Sequence, residues 1–261
     1  MGAEKTDLVL VIDVGNSGAK LGVVRGEDVA GPVRLPACDG KSIREFAKPL
    51  VKDSKPLVAV CGSDLSRVKD LAWELGKFGF PGAVVVGHDH LGLPKGKAAQ
   101  PASAGMDRRV QALAASVLAA GPAVVVSAGT ALTVDAAGAD GGLLGGAILA
   151  GLSLAAKALT LGAEKLPLVD LKGATPVPAL DTETAIRAGV VVGAAGAVER
   201  LVEGMRPAAT CPVFLTGADA PILSPHLRFP HRTHGGLVLL GVALAVRRAP
   251  AGPGAGILGI P

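Results

Sequence analysis

Short runs of aliphatic residues alternate along the chain with glycine-rich breaks, a rhythm that predicts a mixed α/β protein. Leu8-Val9-Leu10-Val11-Ile12 is an unbroken β-prone run, as expected of a central strand buried on both faces. It runs into Asp13-Val14-Gly15-Asn16-Ser17-Gly18, a turn-forming segment. Lys20 to Val24 then reads as the returning strand, and Val29 to Leu35 as a third. Pro56 to Cys61 and Ala83 to Val86 read as further strands. Ile43 to Lys48 and Leu65 to Leu75 are helix-like, and so is Asp107 to Leu118, where Val110, Leu113, Ala114 and Leu118 share one face.

After Gly121-Pro122 the pattern restarts. Ala123-Val124-Val125-Val126 is a second buried strand, Ser127-Ala128-Gly129-Thr130-Ala131 a second glycine turn, and Leu132 to Ala136 a second return strand. Aligning the two hairpins sets Asp13 against Ser127, Gly15 against Gly129, and Asn16 against Thr130. Such an internal repeat implies a duplicated domain with a cleft between the halves, and two unrelated hairpins are the plain alternative. The expected halves are residues 7–121 and 122–249, followed by a Pro/Gly-rich tail, 250–261, that should fray. In the second half Leu152 to Leu161 and Thr182 to Val202 read as helices, with Thr182 near the cap of the latter. Val213 to Leu215 reads as a strand ending in Thr216-Gly217, and Leu237 to Val246 as a buried helix.

Composition narrows the class. Of the 261 residues 49 % are hydrophobic and 18 % charged, which excludes large-scale disorder. With one Trp, five Phe and no Tyr, the core has to be built from Val, Leu, Ile and Ala. The net charge of +4 is scattered and has no aromatics interleaved with it, which argues against a nucleic-acid partner. Cys38, Cys61 and Cys211 share no metal-ligand spacing, and their odd number argues against a secreted disulfide scaffold. The apolar runs are too short for a membrane span and the charged N-terminus lacks a signal peptide's apolar region, so a cytoplasmic protein is expected.

Several segments are candidates for chemistry. Asp13 to Lys20 places a carboxylate at a strand end before glycines whose neighbouring N–H groups can cradle phosphate. Asp13 could hold Mg²⁺ and Lys20 could add positive charge; the alternative is an ordinary hairpin with a structural Asp. Gly105-Met106-Asp107-Arg108 opens a helix. There Asp107 could be a general base and Arg108 a carboxylate ligand, or Asp107 could simply complement the helix dipole. Thr130 offers a hydroxyl to a phosphate, Gly145-Gly146 is either a backbone surface for substrate or a β-turn, and Thr216-Gly217-Ala218-Asp219-Ala220 is a strand-end turn that could touch adenosine. His88-Asp89-His90 has no third ligand nearby in sequence and reads as a solvated turn. A serine hydrolase has no support, since no Gly-x-Ser-x-Gly elbow is present.

Taken in order, these segments resemble the type III pantothenate kinases. That family carries Asp-x-Gly-Asn-Thr, Gly-x-Asp-Arg, Asp-x-Gly-Thr-Ala, Gly-Gly-x-Ile-x-Pro-Gly and Thr-Gly-Gly. Here they stand as Asp13 to Ser17, Gly105 to Arg108, Ser127 to Ala131, Gly145 to Gly151 and Thr216 to Ala218. The resemblance implies duplicated ribonuclease-H-like domains of the actin-like ATPase type, and ATP-dependent phosphorylation of pantothenate, the first step of coenzyme A synthesis. It also implies a homodimer with the acceptor site at the subunit interface. Asp13, Val14, Gly15, Asn16, Ser17, Gly18, Ala19, Lys20 and Thr130 would bind ATP, with Mg²⁺ at Asp13. Asp107 would be the base, and Gly105, Met106, Arg108 and Thr182 would line the pantothenate site. Ser127 stands where the family uses an Asp to bind a monovalent cation (K⁺ or NH₄⁺), and Ala98 stands where it usually has a Tyr. These two departures leave open a non-catalytic, nucleotide-binding regulator and a kinase of another small hydroxy acid.

Overall fold

A computed structural model describes residues 7–15, 18–35, 39–51, 54–62, 64–91 and 104–248. Asn16, Ser17, Cys38, Ala98 and the tail from residue 250 lie outside the described residues. The first apolar run becomes β1 (Leu8–Gly15), whose residues are buried on both faces up to Val14. It pairs antiparallel with β2 (Gly18–Arg25), which pairs with β3 (Asp28–Leu35). On its other side β1 lies parallel to β4 (Leu57–Gly62), and β5 (Val84–Val85) completes the sheet in the order β3-β2-β1-β4-β5. Helices α1 (Gly40–Val51) and α2 (Leu65–Lys77) cover one face. They place Ile43, Ala47, Val68, Leu71 and Leu75 against Leu10, Ile12 and Leu21.

Helix α3 (Met106–Ala119) leads into the second sheet: β6 (Ala123–Ala128), β7 (Ala131–Ala137), β8 (Leu143–Ala150), β9 (Val213–Thr216) and β10 (Arg232–Thr233). Its order, β8-β7-β6-β9-β10, repeats the first sheet strand for strand. Of the two readings of Gly145-Gly146, the β-turn falls away, since both lie in β8: Gly145 pairs with Ala136 and Gly146 with Asp135 in an antiparallel ladder. Helices α4 (Leu152–Gly162) and α5 (Thr182–Met205) follow β8. The side chain that caps α5 belongs to Asp181, which accepts from Thr184 N at 2.9 Å, with Thr182 as the first helical residue. The short α6 (Ala220–Leu223) and the final α7 (Leu237–Arg248) close the chain. No helix among the described residues is long and apolar enough to cross a membrane.

The duplication reaches further than the hairpins. A Cβ on Gly62, just past the end of β4's pairing with Asp13, would fall 2.5 Å from Val14 O. Gly217, at the matching place after β9, lies against the backbone of Ala128, the residue matching Val14. Both halves therefore bring a fourth-strand glycine hard against the first strand's carboxyl end, where a side chain would force the strands apart.

The cores meet through an exchange of helices. Helix α3 packs on β6, β7 and β8, while α7 returns from the end of the chain to pack on β1, β2 and β4. The two helices lie against each other between the sheets, in one aliphatic cluster that includes Val9, Val11, Val110, Leu113, Val125, Leu239 and Leu240. At the crossing, a Cβ on Gly241 would overlap the Val110 carbonyl and stand 2.9 Å from Val110 Cβ. Gly241→Ala should therefore destabilise the protein by about 1–3 kcal/mol, the usual range for overpacking, although alanine is the better helix former. Gly193 on α5 is exposed, and a methyl group added there would meet nothing within 4 Å, so Gly193→Ala should stabilise by roughly 0.5–1 kcal/mol. Urea unfolding midpoints of the two variants, at unchanged slope, check the opposite signs.

Candidate active site

Open α/β sheets bind ligands beyond the carboxyl ends of their parallel strands. In the first sheet those ends carry Asp13 on β1 and Cys61 on β4, which are register partners, and Lys20 faces Asp13 from β2. Asp13 is 7 % exposed. Its Oδ1 accepts from the Cys61 thiol at 3.6 Å, and Lys20 Nζ lies 3.7 Å from Oδ2. Burial pushes the Asp13 pKa up, Lys20 opposes that shift, and the negative charge of Asp107 adds to it. Burial and the charge of Asp13 push the Cys61 thiol well above its ordinary value, so it stays protonated and serves as a donor.

Asp107 reaches this neighbourhood because it sits in the first turn of α3, exposed, just inside the Gly105 N-cap. Gly105 has no side chain to cap the helix, and a Cβ there would stand 2.5 Å from Asp107 Oδ1. Arg108, the next residue, turns the other way. Its Nε donates to both carboxylate oxygens of Asp135, at 3.0 and 3.2 Å, and Nη2 donates to Oδ1. Asp135 is 1 % exposed and takes a further hydrogen bond from Thr133 Oγ1 at 2.9 Å. The first turn of α3 thus stands between the sheets, with Asp107 near Asp13 of the first and Arg108 fastened to β7 of the second.

In the second sheet the matching row is Thr133, Ser127 and Thr216, which are register partners on β7, β6 and β9. Thr130 is exposed at the tip of the β6–β7 turn, where Gly129 N donates to Ala131 O at 3.0 Å. Gly217 and Asp219 close on this turn, with Asp219 N donating to Ala128 O at 3.0 Å, and burial pushes the Asp219 carboxyl up. Thr182 is exposed at the start of α5.

The structure therefore brings Asp13, Lys20 and Asp107 into one neighbourhood, with Gly105, Met106 and Arg108 on the same helical turn. Asn16 and Ser17 lie outside the described residues. His88–Leu91 is a 3-10 turn in which His90 Nδ1 accepts from Gly87 N at 3.1 Å and Nε2 is buried, so His90 is packed rather than solvated. Sequence reasoning passed over Asp135 and Cys61. The signal for Asp135 was a carboxylate alternating with Thr133 in an otherwise apolar strand, on the face that a buried helix has to meet.

Two sheets of one order, with a carboxylate and a glycine turn at the carboxyl end of β1 and a second glycine turn after β6, define an actin-like ATPase fold of the kind that sugar kinases share. The ADPNP-bound activator of the 2-hydroxyisocaproyl-CoA dehydratase from Clostridium difficile superposes with a TM-score of 0.55 at 14 % identity, over 93 % of this chain and 95 % of that one. The sequence model of the type III pantothenate kinase family matches residues 9–204. The type III pantothenate kinase of Thermobifida fusca is 30 % identical over 92 % of this chain and 99 % of its own length. That of Herminiimonas arsenicoxydans is 38 % identical, over 58 % of this chain and 60 % of its own length. The chain belongs to the type III pantothenate kinase family.

Because the folded state holds the Asp13 proton more tightly than the unfolded chain, ionising it costs stability. That cost is absent below the usual carboxylate pKa and grows as pH rises through the raised folded value. Asp13→Asn should therefore unfold at a higher temperature than the parent near neutral pH, with the advantage vanishing in acid. Melting temperatures from pH 3 to pH 8 check this, and a lower Tm for the variant at neutral pH would contradict it.

Proposed function

We propose that the chain transfers the γ-phosphoryl group of ATP to pantothenate, giving ADP and 4′-phosphopantothenate, the first step of coenzyme A synthesis. The observation that carries this is the negative charge of Asp107 acting on the buried Asp13, in a chain of this family. Phosphoryl transfer depends mainly on positioning and charge stabilisation. The β1–β2 turn, from Asp13 to Lys20, and Thr130 on the second turn are the groups for the ATP phosphates. Asp107 accepts the proton of the attacking hydroxyl, whose oxygen bonds to the γ-phosphorus as the bond to ADP breaks.

The donor set suits Mg²⁺. A buried carboxylate raised by burial and by a second carboxylate gains from a nearby cation, which would relieve both. No cluster of three or more His, Cys, Asp or Glu that could hold a metal occurs among the described residues. This fits an ion that takes one or two carboxylates and completes its shell with water and phosphate oxygens. Asp13 would hold it, and bound Mg²⁺ would neutralise charge on the transferring phosphate.

Exposed aliphatic side chains support a homodimer. Helix α4 buries only Leu152 and Ala156, while Leu154 is 49 % and Leu161 88 % exposed, and Leu168 and Val177 follow at 59 % and 73 %. A second copy would cover such side chains. The reading places the enzyme in the cytoplasm, where ATP is available.

Asp107→Asn should lower kcat by about two or more orders of magnitude, the cost of removing a general base, with little change in ATP affinity. Single-turnover rates with radiolabelled ATP measure the first and equilibrium titration the second; near-normal turnover removes Asp107 from the mechanism. A second expectation concerns monovalent cations. Thr133, Ser127 and Thr216 present neutral hydroxyls where a cation site needs charge. Initial rates should vary little with KCl at constant ionic strength, and a steep K⁺ requirement would contradict this.

A further inference from the structure

The Arg108–Asp135 pair has a geometry that a simple structural ion pair does not require. Asp135 takes Nε and Nη2 of the guanidinium, one edge of the fork, and leaves the other. Nη1 has no partner among the described residues and is not enclosed, and 15 % of the Arg108 side chain remains accessible. Asp135 itself is fixed from two directions, by its place in β7 and by the Thr133 hydroxyl. The space for the pair is cut by Gly146. A Cβ there would overlap Asp135 Oδ1 and Val134 O and stand 2.9 Å from Arg108 Nη2. Two residues along β8, on the same face, Ile148 is 64 % exposed beside Thr133. Arg108 thus lies within reach of the Asp107 charge, and the exposed Ile148 shares the face of β8 that Gly146 opens to it.

We propose that Asp135 is a positioning residue, which holds Arg108 by its inner edge so that the outer edge, Nη1, receives the carboxylate of the acceptor acid. This rests on the pantothenate-kinase reading and extends it to a residue that touches neither substrate. A free arginine carries large rotamer entropy, and a ligand that has to immobilise it binds more weakly. Fastening the inner edge during folding removes that cost from the binding step. The planar fork makes the arrangement possible, because two opposed edges can serve two carboxylates, as a lysine ammonium cannot.

The test compares binding of pantothenate with binding of an uncharged pantothenate amide, by calorimetry and by steady-state kinetics, in Asp135→Asn. The expected result is a rise of about tenfold in Kd and KM for the acid, the equivalent of immobilising one rotamer-rich side chain, with the amide little changed. Electrostatics alone predicts the opposite sign, since removing the Asp135 charge leaves Arg108 uncompensated and more attractive to an anion. A fall in the acid's Kd, no change, or equal losses for acid and amide would each overturn the proposal. Should circular dichroism show that Asp135→Asn does not fold, Gly146→Ala displaces the same pair without altering a charge and has to give the same acid-specific loss. If the unmodified protein binds and phosphorylates neither compound, the functional reading fails first. If it handles pantothenate and the variants lose no preference for the acid, the role of Asp135 fails alone.

Discussion

Helices α3 and α7 approach backbone to backbone at Gly241 and Val110, and that contact sets how closely the two sheets approach. Helix crossings are usually spaced by the side chains between them, at about 8–10 Å. Removing the side chain on one helix lets the axes come closer, and the sheets follow because each helix is packed on one of them. The first turn of α3 is then carried into the space between the sheets. The charge of Asp107 reaches Asp13 because of this spacing, whereas Arg108 meets Asp135 because α3 packs directly on β7. A wider crossing would weaken the hold of the Asp107 charge on Asp13.

Bringing Asp13 and Asp107 together is unfavourable in the free protein. Burial disfavours the Asp13 charge and Asp107 disfavours it further, so the fold holds a local electrostatic strain that, among the described residues, Lys20 and the Cys61 thiol partly offset. Strain of this kind marks sites prepared for a cation and for developing charge. The same reasoning accounts for the protonated thiol: Cys61 is a hydrogen-bond donor in a place where a thiolate would add a third negative charge.

Most of the strand framework was legible in the sequence, because fully buried strands such as Leu8–Gly15 and Ala123–Ala128 write themselves as unbroken aliphatic runs. The repeat was legible for a similar reason: the glycines at Gly15 and Gly129 punctuate two runs of similar make-up. Strand β8 was not, since Gly145-Gly146 is the usual signature of a turn, and only its pairing with Ala136 and Asp135 explains two glycines inside a strand. The exchange of α3 and α7 between the sheets was equally hidden. Their apolar faces announce burial, but periodicity does not say which sheet a helix covers. Asp107 and Asp13 could be named from their local patterns, whereas Asp135 became visible only when Arg108 was seen to meet it from 27 positions away in the sequence.

The two halves have kept one topology and divided its charges. In the first sheet the row at the strand ends is Lys20, Asp13 and Cys61, with a carboxylate at its centre. In the second it is Thr133, Ser127 and Thr216, three hydroxyls and no formal charge. The carboxylate of the second sheet stands two residues further along β7, at Asp135, where Arg108 neutralises it and Gly146 makes room. A duplicated fold presents two equivalent faces to its cleft, and equal charges on both would repel a polyanionic nucleotide twice over. Making one row neutral and pairing its carboxylate off-axis leaves the field in the cleft asymmetric. The first sheet then keeps a carboxylate at the centre of its row, while the second has hydroxyls and glycine backbone in the matching place. Asymmetry between the halves, rather than either half alone, gives the space between the sheets a direction.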